Sequence, residues 1–253
     1  MIDTHAHLTD ERLLPFTDEI VKSGLKRIVT VGCNAADCVK AYALAREYGH
    51  VFCALGIHPH DAKDYDDNAE SGLRRLIAGD NNKKVVALGE IGLDFHYDLS
   101  PRDAQRKAFE KQILLANEFN LPVVLHVREA ADDALSILRE NRQFIENGLL
   151  FHCFAEDKVY ANKILNTFDK AYFAFGGAVT FKNSDRAAVA ASLPVDRVLL
   201  ETDCPYMTPV PYRGQLNKPQ YLNLVLNRLI EETGLTDLEK ITDENAGRFF
   251  GFR

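Results

Sequence analysis

The sequence lacks the segments that carry a chain into or across a membrane. No basic stretch followed by an apolar one stands near Met1, so no signal peptide is expected. No apolar run approaches the roughly 18 residues that are needed to cross a bilayer. We therefore expect a cytoplasmic protein that has no contact with membranes.

Cysteine is sparse and has no pattern. The five cysteines are odd in number and form no C-x-x-C pair, which predicts reduced packing residues rather than a disulfide framework. Cys204 follows Asp203, and a neighbouring carboxylate raises the pKa of a thiol. Cys204 is therefore a poor candidate for a nucleophile.

Nucleotide-binding loops and an excess of positive charge are also absent. The chain contains neither G-x-G-x-x-G nor G-x-x-x-x-G-K-[ST]. Its formal net charge of −7 argues against a tight, non-specific DNA-binding protein. The same charge argues less strongly against an enzyme whose bound cations supply local positive charge.

What the sequence does contain is a regular alternation of strand-like and helix-like segments. Several of the apolar runs are apolar on both faces, as strands covered on both sides are. The predicted strands are 1–5, 27–31, 51–57, 85–91, 122–127, 149–154, 171–175 and 197–202. No linker or low-complexity tract divides the 253 residues, so the prediction is α/β, a single (β/α)8 TIM-type barrel domain over 1–253. An open doubly wound sheet is the alternative.

Three helices have recognisable ends. Asn34 with Asp37 predicts the start of a helix that ends at Gly49. Ser100 as a cap, followed by a proline, predicts another start, and Leu121-Pro122 predicts its end. Thr236 with Glu239 has the spacing of a capping box for the last helix.

The first strand ends in a His-x-His pair, His5 and His7. Side chains two residues apart on a strand point to the same face, so both imidazoles can reach one point. Neutral imidazole is the commonest protein ligand of transition metals. The pair therefore suggests half of a metal site.

Further histidines and carboxylates follow other predicted strands. In a (β/α)8 barrel the catalytic residues lie at the C-terminal ends of the strands, and together these positions predict a site there. The residues at six strand ends are His5 and His7, His58 and His60, Glu90, His126 and Arg128, His152, and Glu201 and Asp203.

At these positions the sequence resembles the TatD family of metal-dependent hydrolases, within the wider amidohydrolase-like barrels. The match runs essentially from end to end. The segments that carry it are Ile2-Asp3-Thr4-His5-Ala6-His7-Leu8, Gly56-Ile57-His58-Pro59-His60, Gly89-Glu90-Ile91-Gly92-Leu93-Asp94, 121–128, His152-Cys153-Phe154 and Glu201-Thr202-Asp203-Cys204-Pro205-Tyr206. Weaker matches are 175–177, 180–182, 209–214 and 245–251.

The resemblance implies two divalent cations per chain. It assigns His5, His7 and Asp203 to one and His126 and His152 to the other, with Glu90 bridging both. The chemistry of the residues agrees, because a carboxylate can give one oxygen to each metal whereas an imidazole binds only one. This ligand set suits Zn, Mn or Co, and Mg remains possible at a more open position.

Two such metals can turn a shared water into hydroxide near neutral pH and hold the attacked oxygen. Asp203, anionic and beside that water, is the expected proton acceptor. Glu201 is expected either to support a ligand or to form a buried ion pair or cap. Arg128 is expected to bind phosphate oxygens and His60 to donate a proton to a leaving alkoxide.

Other residues carry weaker expectations. Arg213 lies after the eighth strand, where barrels often bind phosphate, and Lys182 is a further, weaker candidate. His58 is either near the ligands or a buried core histidine. For both arginines an ordinary structural role is the alternative.

The resemblance suggests a deoxyribonuclease that acts as a 3′-5′ exonuclease on single-stranded DNA, with no obligate protein partner. The alternatives are carboxylic-ester hydrolysis, as a deacylase of mischarged D-aminoacyl-tRNA, or hydrolysis of a small ester, lactone or amide. One departure concerns the substrate. The family pattern has Ser/Thr-Gly after His-Cys-Phe, whereas this chain has Ala155-Glu156-Asp157, two acids that would oppose the approach of phosphate.

Overall fold

Eight parallel strands form a barrel in the structure, which is a computed structural model that describes residues 1–252. The strands are β1 Ile2–Ala6, β2 Arg27–Gly32, β3 Val51–Leu55, β4 Val85–Asp94, β5 Val123–Arg128, β6 Leu149–Phe151, β7 Ala171–Phe175 and β8 Val198–Leu200. The helices are α1 Thr17–Val21, α2 Ala35–Glu47, α3 Asp67–Ala78, α4 Arg102–Glu118, α5 Ala131–Glu140, α6 Lys158–Leu165, α7 Arg186–Ala191, α8 Leu222–Thr233 and α9 Leu238–Phe250.

The order of the strands distinguishes a barrel from an open sheet. Each strand pairs in parallel with the next one in the sequence, from β1 to β8. Beyond β8, Ala6 and Cys204 form a parallel bridge, and the amide of Asp203 donates to the carbonyl of His5 at 2.9 Å. These bonds bring the two edges of the sheet together. The predicted (β/α)8 barrel is confirmed, and the doubly wound alternative is wrong.

Two apolar clusters hold the barrel together. The larger one lies between the strands and the surrounding helices. The second, called here the interior cluster, takes residues from every strand and, among the helices, from α9 alone, so we assign it to the inside of the barrel. Its buried members are Ile2, Val29, Val31, Ala54, Val86, Ala87, Val124, Leu150, Tyr172, Ala174, Leu199, Ala246, Phe249 and Phe250.

Some predicted strands are longer than the observed ones, because side chains replace strand neighbours as hydrogen-bond partners. The amide of Thr202 donates to the Asp3 carboxylate at 2.9 Å. The amide of Cys153 donates to Glu201 at 2.6 Å. The ladders of β6 and β8 therefore stop before the polar residues that follow them.

Of the three predicted N-terminal helix caps, only the one at Asn34 is confirmed, where its side chain accepts from the amide of Asp37. Ser100 does not cap α4, which begins at Arg102, because its hydroxyl donates to the carbonyl of His60. The predicted capping box at Thr236 and Glu239 is also wrong. Here α9 begins at Leu238, and the Glu239 carboxylate instead accepts from the terminal amine of Met1.

No helix within residues 1–252 combines the length and apolar character that crossing a membrane requires. The five cysteines are all free. Burial raises the pKa of Cys204 well above its ordinary value, and the charge of Asp3 adds to this effect. The raised pKa agrees with the prediction that Cys204 is a poor nucleophile.

Candidate metal centre

The ends of β1, β4, β5, β6 and β8 meet at one end of the barrel. There they present six residues, called here the six site residues: His5, His7, Glu90, His126, His152 and Asp203. All six are buried or half-buried. The structure thus brings together every residue that the sequence assigned to the two metals.

Glu90 lies at the centre of this group. Its Oε2 is 3.0 Å from His152 Nε2 and 3.2 Å from His126 Nδ1. Its Oε1 is 3.7 Å from His5 Nε2 and 3.6 Å from His7 Nε2. Each oxygen of one carboxylate therefore faces a different pair of histidines.

The backbone around Glu90 explains how it reaches this position. The register between β4 and β5 advances by three residues on β4, from Leu88 to Ile91, against two on β5. A bulge therefore carries Glu90 out of the regular ladder. Gly92 has a φ of +141°, and a Cβ there would lie 2.1 Å from the carbonyl oxygen of His126, so only glycine allows this close approach.

Asp203 joins the half of the group that contains His5 and His7. Its Oδ1 lies 3.2 Å from His7 Nε2 and 3.9 Å from His5 Nε2. Burial would raise the pKa of Asp203, but the hydrogen bond and the charge of His7 lower it. Asp203 is therefore anionic near neutral pH.

Several nitrogen atoms in the group have no partner suited to them. Both ring nitrogens of His5 are buried without a hydrogen bond within residues 1–252, as is His152 Nδ1. His126 Nδ1 and His152 Nε2 face each other at 3.2 Å. Buried polar atoms are almost always satisfied in folded proteins, so these nitrogens fit divalent cations as their partners.

The pKa values of His5 and His7 shift in opposite directions, because burial dominates for His5 and the neighbouring carboxylates dominate for His7. Burial lowers the pKa of His5 to about 4, and the charge of His152 contributes. Burial would also lower the pKa of His7, but the hydrogen bond to Asp203 and the charge of Glu90 raise it to about 9. In the metal-free protein a proton on His7 therefore offsets part of the negative charge.

Asp94 is a functional candidate that the sequence reasoning did not assign. It is fully buried, and its Oδ2 lies 2.9 Å from His60 Nε2 and 3.0 Å from His126 Nε2. The bond to His126 Nε2 leaves Nδ1 directed toward Glu90 and fixes the orientation of the ring. A signal was present, since Asp94 lies four residues after Glu90 on the same strand.

His58 and Glu201 also border the group. His58 is buried, with Nε2 3.9 Å from Glu90 Oε2, and its Nδ1 accepts from the amide of His60. Glu201 is fully buried, with Oε1 3.8 Å from His152 Nδ1. Burial and the charge of Asp203 raise the pKa of Glu201 well above its ordinary value. Both residues also belong to sets of ligand atoms close enough to hold an ion, His58 with Glu90 and His126, and Glu201 with His5 and His152.

The predicted substrate-binding residues lie farther out. His60 is half-buried, and Arg128 is exposed at the end of β5. The Arg213 guanidinium lies 3.8 Å from the centre of the Phe181 ring, next to the exposed Lys182. Within residues 1–252 no hydrogen bond or ion pair joins Arg213 to the six site residues, so the structure does not bring it into the group.

The acids that depart from the family pattern lie on the loop after β6. The Asp157 carboxylate accepts from the amide of Tyr160 and caps α6. The carbonyl of Glu156 accepts from Arg186. Asp157 therefore has a structural role, in addition to its negative charge near the barrel mouth.

A closed (β/α)8 barrel with imidazoles and carboxylates gathered at the C-terminal strand ends defines the class of metal-dependent barrel hydrolases. The family model described as TatD related DNase matches residues 2–251. The chain therefore belongs to the TatD family.

Named relatives agree with this assignment. The chain is 38% identical over 257 residues to YabD of Bacillus subtilis, described as an uncharacterized metal-dependent hydrolase, with 99% of this chain and 98% of that protein covered. It is 35% identical to YcfH of Escherichia coli, described in the same words, over 99% of this chain and 95% of that protein. The crystal structure of YJJV, a TatD homologue of Escherichia coli, matches with a TM-score of 0.92 and 26% identity, covering 100% and 98% of the two chains.

Proposed function

We propose that this protein is a deoxyribonuclease that removes nucleotides from the 3′ end of single-stranded DNA with the help of two divalent cations. The carrying observation is the position of Glu90, whose two oxygens face two separate pairs of histidines. The family description as a DNase supports the choice of substrate. We further propose that the enzyme works in the cytoplasm and needs no protein partner.

In this proposal His5, His7 and Asp203 hold one cation and His126 and His152 hold the other, with Glu90 shared. Zn, Mn, Co and Mg are all compatible with these nitrogen and oxygen donors. When bound, the cations would supply a water of lowered pKa and positive charge beside the attacked phosphorus.

Three carboxylates of the chain have separate roles in this proposal. Asp203, with its lowered pKa, is the proton acceptor for the attacking water. Asp94 holds His126 in place through Nε2. Glu201 supports the backbone at Cys153 and lies against His152.

His60 and Arg128 act on the substrate. Asp94 accepts from His60 Nε2, so an imidazolium His60 would donate its Nδ1 proton to the leaving alkoxide and become neutral, keeping the proton on Nε2. The exposed Arg128 guanidinium can bind phosphate oxygens through two parallel hydrogen bonds. Arg213 is proposed as an outer phosphate contact.

Carboxylic-ester hydrolysis by the same site is the second candidate, and the acidic loop at Glu156 and Asp157 favours it. Two carboxylates near the mouth repel a polyanion more than they repel a small uncharged ester, lactone or amide. The substrate would then be a mischarged D-aminoacyl-tRNA or a small ester, lactone or amide.

One preparation tested on three substrates distinguishes these candidates. The substrates are labelled single-stranded DNA, a mischarged D-aminoacyl-tRNA and a simple lactone, each with and without added metal. We expect metal-dependent release of mononucleotides from the DNA, and slower release from duplex. If DNA stays intact while either ester is hydrolysed readily, the nuclease proposal is wrong.

Two controls sharpen this test. Asp203→Asn should retain DNA binding and lose cleavage, because it removes the proton acceptor and one ligand charge while keeping the shape. The salt dependence of DNA binding should be shallow, with a log–log slope of roughly −1 to −3, because few phosphates are neutralised. Full activity after exhaustive chelation would contradict the metal-dependent mechanism altogether.

A further inference from the structure

The exposed tyrosines of this chain are concentrated around the candidate metal centre. The structure describes all nine tyrosines of the chain. Three of them are exposed, Tyr97, Tyr206 and Tyr212. All three lie on loops that follow β4 or β8, at the end of the barrel where the six site residues meet. Exposed aromatic rings that surround a site can contact a ligand bound there.

The first of these side chains, Tyr97, forms a pair with Arg128. The Arg128 guanidinium lies 4.7 Å from the centre of the Tyr97 ring. The edge of the same ring meets His60 at 5.5 Å between centroids. Tyr97 nevertheless remains 54% exposed, so much of its ring is available to a ligand.

Tyr206 forms a second pair with Arg12, built in the same way. The Arg12 guanidinium lies 4.8 Å from the ring centre, and the ring meets His7 at 5.6 Å in an edge contact. Asp10 holds Arg12 through both carboxylate oxygens, at 2.9 and 2.7 Å. Tyr206 remains 47% exposed.

The two pairs lie on opposite sides of the site. Strands β4 and β8 are four positions apart in a closed ring of eight, which places their ends across the barrel from each other. Each tyrosine contacts a histidine of the site from its own side. A ligand with an anionic centre and a flat ring on each side would place its rings on the tyrosines.

We propose that the Tyr97–Arg128 and Tyr206–Arg12 pairs are two nucleobase-stacking subsites, which hold the bases on either side of the phosphodiester that is cut. This inference rests on the proposed nuclease function and adds the part of the substrate that is recognised. Every base has a π-face, so stacking on tyrosine tolerates any sequence. Arg128 adds positive charge in a chain whose net charge is −7, whereas the charge of Arg12 is paired with that of Asp10.

Equilibrium binding of dinucleotides that cannot be hydrolysed tests the two stacking subsites. The probes are dinucleotides in which a methylene group replaces the bridging 3′ oxygen, with either both bases present or one base removed to leave an abasic sugar. Affinities are measured by calorimetry on the metal-loaded wild type and on Tyr97→Ala, Tyr206→Ala and Tyr97→Phe. Leu99→Ala is the matched control, because Leu99 is an exposed residue of the same loop without a ring.

For the wild type we expect each missing base to weaken binding about tenfold. Each tyrosine-to-alanine variant should bind the full dinucleotide about tenfold more weakly and lose its sensitivity to one of the two bases only, because each base and its tyrosine form one interaction. Tyr97→Phe should behave like the wild type, since the ring remains, and so should Leu99→Ala.

The proposal is overturned if the wild type does not bind the full dinucleotide, if a tyrosine variant weakens all probes equally, or if Leu99→Ala has the effect of Tyr97→Ala. Failure of the nuclease proposal has a different signature. In that case the affinity for the dinucleotides would still depend on both bases, but DNA would not be cleaved. The two stacking subsites would then serve another reaction on a nucleotide.

Discussion

The two ends of the barrel interior have opposite chemistry although the same strands build both. On β5, Val124 belongs to the interior cluster and His126 to the six site residues. On β6 and the turn after it, Leu150 and His152 are related in the same way. Each pair is two residues apart, so both members point into the barrel at different heights.

The lower end of the barrel, where the interior cluster lies, is a conventional apolar core. Phe249 packs against Tyr172 and Phe250 at ring distances of 5.4 and 4.7 Å, and α9 supplies these phenylalanines to close the interior. The upper end, where the six site residues lie, buries charged and polar groups at a cost in stability, and some of these groups have no hydrogen bond within residues 1–252. We infer that the lower end contributes the stability that allows the upper end to be organised for binding. Variants of the two ends test this division.

The largest effect is expected from Glu90→Ala. Loss of the carboxylate whose oxygens lie within 3.7 Å of four histidines should remove both cations and abolish turnover. Metal content per folded chain and kcat are the measurements. Glu129→Gln is the control, since Glu129 is an exposed glutamate that pairs with His96. Normal metal content in Glu90→Ala would contradict the bridging role.

Phe249→Ala tests whether the interior cluster at the lower end of the barrel stabilises the fold. Truncation of a buried phenylalanine should lower the free energy of unfolding by about 3–5 kcal/mol, because it leaves a cavity. Chemical denaturation measures this change. The folded fraction should still retain its metals, and loss of metal without loss of stability would show that the two ends are not separable.

A smaller effect is expected from Arg128→Ala, which changes the outer edge of the upper end. Loss of a charge-assisted phosphate contact should raise the KM for DNA or lower kcat/KM by roughly 10- to 100-fold. The metals should stay. Arg139→Ala on α5 is a surface control with the same charge change. If Arg128→Ala loses metal as fully as Glu90→Ala, its role is misassigned.

The smallest effect is expected from pH, which should change the affinity for metal. Hydrogen bonds and charges from Asp203 and Glu90 for His7, and from Asp94 and Glu90 for His126, outweigh burial and raise the pKa of each histidine to about 9. Without metal, both histidines are therefore protonated at pH 7, and each must lose a proton before it can bind a metal.

Metal affinity should consequently rise by up to about tenfold per pH unit for each released proton and level off above pH 9. Calorimetry in buffers of different ionisation enthalpy counts the released protons. Asp203→Asn, which removes a carboxylate that raises the pKa of His7, should release fewer. Affinity that does not change between pH 7 and pH 9 would exclude this competition.

Much of the fold could be predicted because it depends on local patterns. Strands that are apolar on both faces and helices between them are features of neighbouring residues, and they predict a parallel sheet that helices cover. The cap at Asn34 was predictable for the same reason. The cap at Ser100 and the capping box of Thr236 and Glu239 were not predictable in this way. The Ser100 hydroxyl bonds to His60 and the Glu239 carboxylate to the amine of Met1, and both partners are distant in sequence.

By itself the sequence determined the alternation of eight strands with helices and the positions of histidines and carboxylates at the strand ends, because both follow from local patterns along the chain. Only the tertiary structure decided that Glu90 faces two pairs of histidines, that Asp94 joins His60 to His126, and that two tyrosines flank the site. These relations depend on the bulge in β4 and on closure of the barrel between β1 and β8. Closure brings residues about 200 positions apart, such as His7 and Asp203, to within 3.2 Å, and no local pattern encodes a distance across the barrel.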